Sequence, residues 1–105
     1  MKKITILLLA ATITAAGTAV ADELEDMMKK NGCNACHSED KKVIGPSYKD
    51  VADKYKGDAS APAKLADKVK KGGSGVWGPI PMPPNTAVKD EDIKKMVAYI
   101  LALKK

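Results

Sequence analysis

Cys33-Asn34-Ala35-Cys36-His37 constrains this chain more than any other stretch, because it holds both cysteines and the one histidine among 105 residues. Two thiols two residues apart, with an imidazole directly after the second, form the pattern that attaches a c-type haem. The thiols add across the two vinyl groups of the porphyrin, and the short spacer lets both reach one edge while the next side chain turns under the ring towards the iron. On this reading Cys33 and Cys36 hold the group covalently and His37 ligates its metal. Other chemistries use such cysteines. A structural zinc site wants four nitrogen or sulfur ligands, and this chain can offer three. A redox-active C-x-x-C follows a buried strand and opens a helix, whereas the residues before Cys33 read as helix and no strand pattern appears. A plain disulfide would close so small a loop that it would add little stability.

The first residues read as an address. Lys2 and Lys3 form a positive segment, Ile4 to Ala16 an apolar one, and Ala19-Val20-Ala21 an A-x-A cleavage site. Residues 1–21 are therefore expected to be a cleavable signal peptide, with 22–105 a single domain in a bacterial periplasm or outside the cell and no stable membrane insertion after cleavage. A domain of that size gains only marginal stability from a side-chain core. With no Phe, one Trp and three Tyr, large packing groups are scarce, and a haem would supply the missing apolar bulk.

Charge narrows the partners. Of 18 basic residues two fall in the leader, and the rest against 13 acids leave a net +3. All are Lys, whereas planar bidentate contacts to phosphates and base edges favour Arg, so nucleic acid is not an expected partner. A mildly basic face suits redox proteins with acidic docking faces.

Helical periodicity accounts for most of the rest. Asp22 to Asn31 is predicted as a helix with Leu24, Met27 and Met28 on its apolar face, after which Gly32 turns the chain. Ser38 to Val43 reads as a polar loop. Ile44-Gly45-Pro46 has two readings: a simple turn, or a Pro46 carbonyl that accepts from Nδ1 of an axial histidine. A second helix is predicted from Ser47, as N-cap, to Lys56, with Tyr48, Val51, Ala52 and Tyr55 on one side and Gly57 as its stop. A third starts at Ser60 or Ala61 with Pro62 in its first turn and ends at Gly72-Gly73, with Leu65, Ala66 and Val69 inward. The fourth runs from about Asp90 to Leu103 on a stripe of Ile93, Met96, Val97, Ile100 and Leu101 and is expected to pack on the first.

Between the last two helices, residues 73–85 contain four of the six prolines, which stiffen the segment before it folds. Proline encloses Met82 on both sides. Its thioether is a soft neutral ligand suited to haem iron opposite a histidine. Asn85 can donate its amide to the Met82 sulfur, and Trp77 its indole N–H to a haem propionate.

Together these motifs resemble small class I c-type cytochromes of the bacterial cytochrome c-551/c-552 group across residues 22–105. Cys33-Asn34-Ala35-Cys36-His37, Gly45-Pro46, the run Lys71 to Gly78, and Pro81-Met82-Pro83-Pro84-Asn85 stand in that group's order and spacing. The resemblance implies an all-α monohaem fold of about four helices around one covalent haem c, with crossed terminal helices. It implies His37 and Met82 as axial ligands, the Pro46 carbonyl on His37, and Trp77 near a propionate. The group often caps its last helix with Ser or Thr where this chain has Lys89, so Asp90 is expected to cap instead. Tyr99 stands where many members carry Trp, and Met28 where some carry an aromatic. The implied function is that of a monomeric periplasmic electron carrier without enzymatic activity. Two rivals are a haem-based sensor or peroxidase-like enzyme, which needs Met82 to leave the iron, and a thiol-disulfide oxidoreductase.

Overall fold

The last helix organises the structure. In a computed structural model, which describes residues 16–104, four helices and one short 3-10 turn follow in order: α1 (Ala16–Lys30), the turn Cys33–Ala35, α2 (Tyr48–Lys54), α3 (Ala61–Lys71) and α4 (Asp90–Leu101). Helix α4 touches α1, α2 and α3. The buried cluster draws Leu24 and Met28 from α1, Tyr48 from α2, and Ile93, Met96 and Val97 from α4, with Leu65, Ala66 and Val69 of α3 packed at its margin. These are the faces the periodicity marks, and burying each large side chain contributes about 1.5–3 kcal/mol. Among the described residues no helix is long and apolar enough to cross a membrane.

Several boundaries differ from the sequence expectation. Residues 1–15 of the expected signal peptide lie outside the described residues; its last residues are helical, so that α1 (Ala16–Lys30) runs unbroken into the helix expected from Asp22. No proline interrupts residues 16–21, and the alanines there propagate a helix readily. The helix stops at Lys30, where the Asn31 amides, main-chain and side-chain, both donate to Met27 O. Helix α2 is shorter than expected, Tyr48–Lys54, although Ser47 caps it as read: its Oγ accepts from Asp50 N at 3.1 Å. Helix α4 ends at Leu101 rather than Leu103.

The cap of α4 is also different. Lys89 occupies the N-cap position without a side-chain bond, and Asp90 is the first helical residue. Its carboxylate is drawn away by Lys70, whose Nζ lies 2.7 Å from Oδ1 and ties the end of α3 to the start of α4. That lysine holds the Asp90 carboxyl below its usual range. Asp90, Glu91 and Asp92 still complement the positive end of the helix dipole. Further along α4, the Tyr99 hydroxyl donates to Glu25 Oε1 at 3.0 Å and joins α4 to α1.

Candidate functional site

Two irregular segments, 33–46 and 73–83, frame a cleft of about 250 Å³ that reaches down to Met28, Met96 and Val97 of the core. Cys33, Cys36, His37, Pro46, Trp77 and Met82 all line it. Six of the seven residues singled out in the sequence thus converge on one space.

The 3-10 turn brings the two cysteines together, closed by Cys36 N and His37 N donating to Cys33 O at 3.3 and 3.0 Å. Both are half-buried and unpaired. Burial pushes the Cys33 thiol up, the reverse of the lowered value that makes a C-x-x-C thiolate reactive. The following loop is anchored rather than loose. Ile44 N and Gly45 N both donate to Cys36 O, at 3.2 and 2.7 Å, and Ser38 O accepts from Tyr48 N at 2.9 Å.

His37 is held closely. Its Nδ1 lies 2.7 Å from the Pro46 carbonyl oxygen, which can only accept, so Nδ1 carries the proton and Nε2 keeps the free lone pair. Of the two readings of Ile44-Gly45-Pro46, the histidine partner is the one this contact favours. Gly45 runs against the imidazole: a Cβ there would stand 2.5 Å from His37 Cε1 and 2.9 Å from Nδ1. Tyr48 covers a ring face, its centroid 5.5 Å from that of His37 with 27° between planes. Its hydroxyl donates to Asn34 Oδ1 at 3.1 Å, and burial raises the phenol far above its usual range.

Met82 is seated by main-chain bonds. Its N donates to Gly73 O at 2.8 Å and its O accepts from Gly73 N at 3.1 Å, a small antiparallel bridge at the end of α3. Gly72 (φ 72°) lies so close that a Cβ would run into the Met82 carbonyl oxygen. Trp77 stands at the mouth, 39% exposed, with Lys54 Nζ 5.3 Å above its ring. Lys42 and Lys68 also line the cleft.

Asn85 is the exception. Its side-chain amide donates to Val69 O at 3.3 Å and Pro83 O at 3.4 Å, and its main-chain N to Val69 O at 3.0 Å. The donation to the Met82 sulfur read from the sequence is replaced by bonds that fasten the proline-rich segment to α3. Sequence reasoning placed Tyr48 only on an apolar face and Gly45 only in a turn. A glycine-proline pair shortly after the histidine was the signal available for Gly45; nothing in the pattern pointed to Tyr48.

The donor set fits a covalently held haem: two thiols on one turn, a nitrogen donor fixed in one tautomer, a neutral sulfur donor, and apolar walls. Comparison with known proteins agrees. Residues 21–104 match the family model described as Cytochrome c. The chain is 49% identical over 98 residues to cytochrome c-551 of Pseudomonas aeruginosa, covering 93% of this chain and 92% of that one. It is 50% identical over 95 residues to cytochrome c-552 of Nitrosomonas europaea, covering 90% of each. The crystal structure of wild-type Nitrosomonas europaea cytochrome c552 superposes with a TM-score of 0.73 at 52% identity, over 76% of this chain and 99% of that one.

Proposed function

We propose that this chain, which belongs to the cytochrome c family and carries one haem c bound covalently through Cys33 and Cys36, is a periplasmic one-electron carrier between respiratory-chain donors and terminal reductases or oxidases. One observation carries the reading: a neutral nitrogen donor and a neutral sulfur donor, His37 and Met82, line the same cleft as both cysteines.

When bound, the haem supplies an iron that accepts and returns one electron. His37 would hold the iron through Nε2, its tautomer and direction fixed by the Pro46 carbonyl. Met82 would hold it through its thioether, an uncharged donor that favours the reduced state and raises the potential. Trp77, in the lining of the cleft, would donate its indole N–H to a propionate, and Asn85 steadies the segment that presents Met82. With two side chains as donors to the iron, the site would offer a substrate no coordination position, which supports a carrier rather than an enzyme. Exposed Val43, Ile44, Val76 and Ile80 beside or along the cleft, with Lys42 and Lys68 in its lining, suit a monomer that docks transiently on acidic faces of redox partners.

The Met82→Ala variant tests the assignment. It is expected to lose the weak far-red absorption band of sulfur bonded to ferric haem iron, and a band that persists would refute Met82 as ligand. Carbon monoxide added to the reduced wild type at neutral pH separates a carrier from a sensor or peroxidase: slow or absent binding fits the carrier, and rapid binding the rival.

A further inference from the structure

Tyr48 makes a contact that packing alone does not require. It is the first residue of α2, 6% exposed, and part of the core cluster, yet its ring also lies against His37. Both ends of the side chain are fixed. At the main chain, Tyr48 N donates to Ser38 O at 2.9 Å, directly after the Ser47 cap that starts the helix. At the far end the hydroxyl donates to Asn34 Oδ1, and a hydroxyl at the edge of a core needs such a partner. Asn34 lies between the two cysteines, in the 3-10 turn. One side chain therefore links the attachment turn, the imidazole and the start of α2.

The other contacts on His37 leave a freedom that this one removes. The bond from Nδ1 to Pro46 O fixes where the ring points, and Gly45 presses on the ring around Cε1. Neither alone holds the plane against tilting about that bond in both directions. An aromatic face at 5.5 Å, pinned at both ends, does.

We infer that Tyr48 is a positioning residue for the axial imidazole, with Asn34 holding its hydroxyl so that the plane of His37 keeps one orientation relative to the Cys33–Cys36 turn. This rests on the carrier reading, in which His37 is an iron ligand. In a ferric haem protein the spread of the ring methyl proton shifts follows the orientation of the axial ligand planes, so the geometry can be read without any partner or turnover.

The experiment compares wild-type holoprotein with Tyr48→Phe, Asn34→Ala and the double variant, by proton NMR of the oxidised form and by reduction potential. Tyr48→Phe keeps the ring and core volume and removes one hydroxyl, so the fold survives. Both single variants are expected to shift the methyl pattern in the same direction. The double variant should shift it no further than Tyr48→Phe alone, because all three break one hydrogen bond. Asn34→Asp, which keeps an acceptor, should restore the wild-type pattern. A pattern and potential unchanged in Tyr48→Phe would overturn the inference, as would single-variant effects that simply add. A wild type whose spectrum shows no histidine-ligated low-spin iron would instead defeat the carrier reading, which keeps the two failures apart.

Discussion

Residue 45 shows how little room the site leaves. Gly45 has no unusual backbone angle to accommodate, and what excludes a side chain is the imidazole, 2.5 Å from where a Cβ would stand. Either the ring or the segment must move, at the cost of the Nδ1 bond to Pro46. Gly45→Ala is therefore expected to destabilise the holoprotein by about 1–3 kcal/mol and to perturb the axial ligand field. Chemical denaturation and the visible spectrum check it, and unchanged values in both would contradict the contact. At this scale the sequence was informative wherever chemistry restricts residue type. Cys33, Cys36, His37 and Met82 carry the soft or nitrogen donors that haem attachment and ligation require, and all four face one cleft. It was uninformative where a role depends on a contact across the fold. Asn85 was read towards the Met82 sulfur, but which acceptor an amide chooses depends on carbonyls that only folding brings near, here those of Val69 and Pro83.

At the level of elements, α3 and the inward stripe of α4 were legible because periodicity and end signals agreed: Pro62 in the first turn, and glycines past the last lysines. The run of α1 back into the expected leader was not, since the A-x-A pattern marks a cleavage site and not a helix end. A three-residue 3-10 turn has no period to detect. The α1–α4 crossing yields a pH prediction. Partial burial, and then the hydrogen bond to Glu25, push the Tyr99 phenol up to about 12 from its ordinary 10.0. A raised value means the folded state holds the proton more tightly, so this contribution is complete below pH 10 and is lost as pH rises towards 12. Tyr99→Phe, which lacks the bond at every pH, should be less stable than wild type at neutral pH by about 1 kcal/mol or less. The gap should close between pH 10 and 12. Denaturation curves for both proteins across that range decide it, and a constant gap would count against the Tyr99–Glu25 bond.

For the whole molecule, the buried set is thin. Among the described residues its large members are Leu24, Met28, Tyr48, Ile93, Met96 and Val97, and Met28, Tyr48, Met96 and Val97 also line the cleft. The cofactor thus completes the core as well as supplying the redox centre. A Cys33→Ala/Cys36→Ala chain, unable to bind it covalently, is expected to lose most of its helical circular dichroism and its cooperative thermal transition. Retention of both would mean the helices pair without it. Charge acts at the same scale. With every basic residue a lysine and lysines at the cleft, the rate of electron exchange with an acidic partner should fall as ionic strength rises. Stopped-flow rates at increasing salt check this, and a flat dependence would remove lysine guidance from the docking model.

The bridge between Gly73 and Met82 has one more implication. Since the polypeptide at position 82 is held through its own amide and carbonyl, the socket is separable from its occupant. Under the proposed ligation, the potential would then be tuned by the side chain at one position, a one-codon setting whose main-chain seat does not depend on which residue fills it.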